Sequence, residues 1–297
     1  MADWTEEKER SNPFALKLIC WIALHLSRRF ARLWLWPITF YFYVSSPKVR
    51  FSSRKYLERV NKQECKFFDV IHHIHHFSAI VLDRVYFLTD QFERFDIQVH
   101  GDECLDELAE QGQGAILLGA HLGSFDALRC LAISRQKLPL KILMYHDHNA
   151  MITKIIDELN PEIAQSVINL ADPSALLEMK EALEAGCLVG MLGDRVLENE
   201  KSIECTLLDD SVSFPAGPLS IALMLGVPVI NFFGIYRGKN QYEVFFSSLY
   251  SGQQVSRKER SDRVLALTQQ YAHEIELMIE KYPYNWFNFY DYWGDGQ

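Results

Sequence analysis

The sequence predicts an α/β fold: a sandwich with a largely parallel central sheet flanked by helices, preceded by an N-terminal membrane-associating helical segment. Three observations carry this expectation. Beyond Gln98, short apolar runs alternate with stretches of helical periodicity, the rhythm of a parallel sheet with helical crossovers. With 297 residues, 48% of them hydrophobic, the chain has ample material for a core, and no low-complexity linker or internal repeat divides it. Residues 14–66 differ from the rest in being aromatic and basic. The simplest organisation is an acidic tail over 1–13, an apolar and basic segment over 14–66, and one α/β body over 67–297.

Within the N-terminal segment, residues 14–27 are largely apolar, broken by Lys17 and His25, and residues 33–44 form an apolar and aromatic run. Arg28, Arg29 and Arg32 separate the two, and each piece falls short of the ~20 residues that a spanning helix needs. Trp21, Trp34, Trp36, Tyr41 and Tyr43 are of the types that settle at a headgroup boundary, and arginines snorkel into phosphate. An interfacial or half-inserted helix, kinked at Pro37, is the expected arrangement. An amphipathic helix on the protein's own core, or one tilted span, are the alternatives. The acidic start, Met1 to Arg10, lacks the basic region and short apolar core of a cleaved signal peptide.

Charge follows the same division. Residues 25–66 hold ten Lys or Arg against two acidic residues, so a net charge of −9 leaves −17 on the remainder. So acidic a body argues against a nucleic-acid partner. The basic segment suits anionic headgroups or an acidic acyl carrier protein, or is a solvated helix face. Cysteines at 20, 65, 104, 130, 187 and 205 show no CxxC spacing and are expected to be reduced.

Along the body the expected strands are 97–99, 115–119, 140–145, 187–192 and 227–233, with an alternating strand at 242–246. The expected helices are 103–111, 124–136, 149–159, 174–185, 217–225 and 261–281. The last repeats Val264, Leu267, Tyr271, Ile275 and Met278 at helical spacing. In such a fold sites gather at the carboxyl ends of strands.

One stretch has chemistry written into it. After the apolar run Ala115-Ile116-Leu117-Leu118 comes Gly119-Ala120-His121-Leu122-Gly123-Ser124-Phe125-Asp126. Ser124 is a helix N-cap candidate, which puts Asp126 in the first turn. An ionised Asp126 in reach of His121 would fix the ring's tautomer and favour the imidazolium formed when the ring takes a proton from a hydroxyl. The bland alternative is a histidine capping a loop and an aspartate favouring a helix start.

This HxxxxD element resembles the signature of the lysophospholipid acyltransferase superfamily. Its surroundings are most similar to the lipid A late-acyltransferase branch and the phosphatidylinositol mannoside acyltransferases. Gly193-Asp194-Arg195 after the apolar run 187–192, Phe214-Pro215-Ala216-Gly217-Pro218, Gly226-Val227-Pro228, and Tyr282-Pro283 with Asn285-Trp286-Phe287 follow in the family's order. Ala216 stands where glycerol-phosphate acyltransferases typically carry Glu, which argues against a simple glycerol-phosphate acceptor.

The resemblance implies acyl transfer from a thioester of acyl carrier protein or coenzyme A to a hydroxyl of a membrane lipid or glycolipid. It implies the cytoplasmic face of a bacterial inner membrane and no cofactor or metal. His121, Asp126 and Glu204 become candidate catalytic residues, Glu204 by likeness to a glutamate of the mannoside branch. Gly123, Ser124, Asp194, Arg195 and Gly217 become candidate substrate contacts. Backbone N–H groups near Gly123 would meet the oxyanion, and Arg195 a phosphate, unless Asp194 and Arg195 simply pair.

Three rival readings remain open. The same dyad serves a thioester or lipid hydrolase, and an acyltransferase-like protein without activity would be a lipid-binding scaffold. His72-His73-Ile74-His75-His76, with His146-Asp147-His148 as a second cluster, has the spacing of an iron or zinc histidine box, or else lies on an amphipathic helix.

Overall fold

A computed structural model describes residues 21, 23, 28–128, 139–144, 159–160, 165–197 and 200–294. Three helices come first: α1 (Arg28–Ser45), α2 (Pro47–Asn61) and α3 (Phe67–Leu88). Then β1 (Asp96–His100), α4 (Glu103–Gln111), β2 (Ala115–Gly123), β3 (Leu140–Met144), β4 (Val167–Asn169), α5 (Ala175–Glu184) and β5 (Leu188–Leu192) follow. A hairpin of β6 (Ser202–Leu207) and β7 (Asp210–Pro215), helix α6 (Gly217–Leu225), strands β8 (Pro228–Gly238) and β9 (Gln241–Ser251), and α7 (Arg260–Lys281) complete the described elements.

Seven strands form one sheet in the order β1-β9-β8-β2-β5-β3-β4, and only β8 and β9 pair antiparallel. The expected sandwich with a largely parallel sheet is therefore what the chain forms. β2 lies at its centre, and its side chains alternate with the period of two that a pleated strand imposes. Ile116, Leu118, Ala120 and Leu122 join a core with α2, α5, α6 and α7. Ala115 and Leu117 join the opposite core with α1, α3 and α4.

The N-terminal helices are fastened to this body. α2 begins on Pro47, where a missing N–H costs nothing, and buries Tyr56, Leu57 and Val60 in the first core. α3 begins with the Asp69 carboxylate accepting the Lys66 N–H at 2.9 Å. α1 buries a narrow stripe, Ala31, Leu35 and Thr39, at spacing of four. Arg28 grips the fully buried Asp83 of α3 with two hydrogen bonds, 2.9 and 2.7 Å, while the Tyr242 hydroxyl donates to the same carboxylate. The large residues of α1 point the other way: Leu33, Trp34, Phe40, Tyr41 and Val44 are at least half exposed. Pro37 lies inside the helix, and no described helix is long and apolar enough to cross a membrane.

The strand at 167–169 and the β6–β7 hairpin were not among the expected elements. All but the last residue of expected helix 149–159, most of 124–136, Cys20, Cys130, His146-Asp147-His148 and nearly all of 1–27 lie outside the described residues.

Candidate active site

The site lies where β2 leaves its regular pairing. At Gly119 the strand is in register with Leu192 of β5 and Phe232 of β8, but between Gly119 and Gly123 the register with β8 shifts. The C-terminal segment meets the freed edge: Leu122 bridges Trp286, and the Phe287 N–H donates to the His121 carbonyl at 2.8 Å. Gly123 turns the chain at φ 72°, and a Cβ there would stand 2.0 Å from the Gly234 carbonyl oxygen. Only glycine fits. The Ser124 N–H donates to that same carbonyl at 2.7 Å.

Neighbouring β5 brings the acid. The Gly193 N–H donates to the Gly119 carbonyl at 2.9 Å, extending the ladder one step and setting Asp194 beside His121. Asp194 Oδ1 accepts the His121 Nδ1–H at 2.7 Å. Its Oδ2 accepts the His121 backbone N–H (3.0 Å), Asn288 Nδ2–H (3.0 Å) and Trp286 Nε1–H (3.2 Å). The Asp194 side chain is 0% exposed, whereas that of His121 is 27% exposed.

Electrostatics assign the protons. Burial alone would raise the Asp194 carboxyl, but His121, Arg195 and the Asn288 amide outweigh it and hold the group far below the usual carboxylate range. An ionised Asp194 requires the proton on Nδ1, so Nε2 keeps its lone pair. Desolvation, then the Arg195 guanidinium, pushes His121 below its ordinary pKa against the pull of Asp194. A ring that is neutral at neutral pH with a bare Nε2 is equipped to take a proton.

The structure gives His121 Nδ1 to Asp194, and it gives Asp126, the expected partner, to Arg84. Asp126 lies in a short 3-10 turn, Phe125–Leu128, and its Oδ2 accepts Arg84 Nε–H of α3 at 2.6 Å. The chain turns at Gly123, and the β2–β5 ladder sets Asp194 rather than Asp126 against Nδ1. Ser124 is not an N-cap: it is 1% exposed, and its Oγ has no hydrogen-bond partner among the described residues. Its N–H is spent on Gly234, which removes it as an oxyanion donor.

Arg195 donates through Nε to Asn288 Oδ1 at 2.7 Å and through Nη2 to the Phe287 carbonyl at 3.1 Å. Gly217 opens α6 against Glu200, whose Oε1 would stand 3.1 Å from an added Cβ. Glu204 is exposed on β6 opposite Ser213, away from the bonds that join His121 to Asp194. The buried Tyr271 hydroxyl donates to the Gly119 carbonyl at 2.6 Å, and Tyr292 to the Asp194 carbonyl at 2.8 Å. Sequence reasoning passed over Arg84, Asn288 and Tyr292. The one signal for Asn288 is an amide inside the aromatic run Trp286-Phe287-Asn288-Phe289-Tyr290, since a polar group there must find a buried partner.

The histidine cluster lies on α3, where His72 is exposed and His73, His75 and His76 pack against protein. His73 is fully buried between the Ser53 hydroxyl and the Trp286 carbonyl, both at 2.8 Å. His75 stacks on Trp36 and bonds Thr39 Oγ1, and His76 meets the rings of Tyr236 and Tyr284. Among the described residues no three His, Cys, Asp or Glu side chains converge as a metal site.

The family model of the bacterial lipid A biosynthesis acyltransferases matches residues 79–294, which include β2, β5 and the C-terminal segment that build this site. Among curated proteins no relative matches the chain.

Proposed function

The chain belongs to the bacterial lipid A biosynthesis acyltransferase family and is an O-acyltransferase; from that premise we propose that it moves a fatty acyl chain from a thioester of acyl carrier protein or coenzyme A to a hydroxyl of a membrane lipid or glycolipid. The observation that carries the mechanism is the 2.7 Å bond from His121 Nδ1 to a buried, ionised Asp194. Nε2 takes the proton of the acceptor hydroxyl as its oxygen attacks the thioester carbonyl, forming the C–O bond. The tetrahedral intermediate collapses with cleavage of the C–S bond, and the imidazolium returns its proton to the departing thiolate. Asp194 stabilises the imidazolium in between.

Supporting roles follow from position. Arg195 and Arg84 keep a positive field around His121 that suits a phosphate of the pantetheine arm or of the acceptor. Gly217 and Glu204 receive no chemical step.

The outward aromatic face of α1 supports docking on the cytoplasmic face of a bacterial inner membrane, with the helix lying in the interface plane. The test is acyl-carrier-protein thioester presented with membrane lipid extract, following label into the lipid fraction by mass spectrometry. Label entering a lipid ester with the wild type and not with His121→Ala supports the reading. Thioester loss without lipid ester would replace it with a hydrolase. Thioesters of acyl carrier protein and of coenzyme A that both stay untouched in this assay would leave a lipid-binding scaffold.

A further inference from the structure

We propose that Asn288 is a positioning residue that keeps Asp194 committed to His121 by standing between Asp194 and Arg195; the proposal rests on the reading of His121 as the base. Asp194 and Arg195 are consecutive and each feels the other's charge, and a guanidinium within reach of a carboxylate frequently takes it in a bidentate pair. Such a pair would draw the carboxylate off Nδ1 and cost the ring its proton acceptor. Here the amide intervenes: its Nδ2 donates to Asp194 Oδ2 at 3.0 Å, and its Oδ1 accepts Arg195 Nε–H at 2.7 Å.

The orientation of that amide is dictated by its neighbours. A carboxylate only accepts and a guanidinium only donates, so one of the two amide flips makes both bonds and the other makes neither. Asn288 is 4% exposed, so no water competes freely for either end. Together with Trp286 Nε1–H and the His121 backbone N–H, the amide saturates Oδ2 and leaves Oδ1 for the ring. The two backbone links from this segment, Phe287 N–H to the His121 carbonyl and Leu122 to Trp286, place Asn288 in fixed relation to the strand that carries His121. Alanine, aspartate and glutamine at 288 each lack part of this: alanine bridges nothing, aspartate accepts from Arg195 but has no donor for Asp194, and glutamine is a methylene too long.

The experiment compares Asn288→Asp and Asn288→Ala with the wild type and with His121→Ala. It reads kcat and KM for label transfer from acyl-carrier-protein thioester into membrane lipid extract across pH, and the 15N shifts of the His121 ring. For both Asn288 variants kcat falls about 10- to 100-fold, the range for losing a hydrogen bond to a charged group, with KM little changed. The acid limb of the pH profile moves in opposite directions. In Asn288→Asp an added negative charge holds the imidazolium and the limb moves to higher pH. In Asn288→Ala Arg195 turns onto Asp194, the ring loses its counter-charge, and the limb moves to lower pH as the Nδ1–H tautomer gives way. A merely structural role would lower the amount of folded enzyme and move neither limb nor tautomer. Should one variant fail to fold, the other carries a signed shift of its own. Folded variants with wild-type kcat, limb and ring shifts, beside an inactive His121→Ala, overturn this inference alone. Transfer that persists in His121→Ala overturns the reading beneath it.

Discussion

Exchanging Asp194 for asparagine alters one atom and, by the hydrogen bonds in place, reverses the ring that it serves. Three N–H donors converge on Oδ2, from the His121 backbone, Asn288 and Trp286, so the new amide must put its oxygen there. Its NH2 then faces His121 Nδ1, which has to accept, and the ring proton moves to Nε2. A ring with Nε2–H has no lone pair for the acceptor hydroxyl. The loss of the counter-charge adds to this, and an exchange of the same kind in a Ser-His-Asp triad costs about 10⁴ in kcat. We expect kcat to fall roughly 10³- to 10⁴-fold, or about 4–5.5 kcal/mol of transition-state stabilisation. The three bonds to Oδ2 persist as neutral ones, so thermal melts should stay close to the wild type. The assay is steady-state thioester consumption with lipid acceptor, alongside 15N spectra of the ring. A folded Asp194→Asn that keeps more than a tenth of wild-type kcat would refute the reasoning.

Four further expectations follow from the same geometry. Asp126→Asn removes the charge that Arg84 meets at 2.6 Å yet keeps Nδ1 on Asp194, so transfer should fall at least about tenfold less than in Asp194→Asn; equal losses would return the orienting role to Asp126. Gly123→Ala meets the Gly234 carbonyl at 2.0 Å in a left-handed conformation and should lower stability by about 3 kcal/mol or more in urea unfolding, whereas a change under about 0.5 kcal/mol would contradict the backbone placement. Burial lowers His73 to about 3 and both His75 and His76 to about 4, so the unfolded chain binds more protons than the folded one below its ordinary histidine pKa. Stability is complete above about pH 6.5 and should fall by a few kcal/mol as pH drops to about 4, with a shallower slope in His75→Gln; a flat profile would contradict the burial. Replacing Trp34, Phe40 and Tyr41 together by serine should weaken co-sedimentation with anionic vesicles about 10- to 100-fold at unchanged melting temperature, and undiminished binding would remove α1 from the membrane contact.

What the sequence disclosed and what it withheld divide along distance in the chain. β2 and β5 are announced by continuous apolar runs, because strands buried on both faces have no polar side to display. α7 is announced by Val264, Leu267 and Tyr271 recurring on one face. The β6–β7 hairpin alternates exposed and buried residues through Ser202–Pro215 around a turn, Leu208-Asp209, in which neither residue is glycine. A strand as short as Val167–Asn169 has too few residues to show a period. His121 was visible because its neighbours in sequence are its neighbours in space. Its acid was legible as a candidate substrate contact but not as its partner: Asp194 reaches it from 73 positions away through the β2–β5 register, which spacing along one strand does not encode, so the nearer Asp126 was the natural expectation. Asn288 comes from farther still, and only its buried amide hinted at it, whereas Trp286 was legible in the terminal block but not as a donor to Asp194. The aromatic face of α1 was legible as composition, but its inward stripe of Ala31, Leu35 and Thr39 is defined by the partner helix.

The central claim is that Asp194 holds His121 as a neutral ring with its proton on Nδ1. The most direct measurement is the pH titration of the His121 ring nitrogens by 15N NMR in the full chain, assigned by comparison with His121→Ala. The account predicts a protonated Nδ1, a bare Nε2 and a midpoint below the ordinary histidine value of about 6.5. A neutral ring that carries its proton on Nε2, or a titration midpoint above that value, would contradict it.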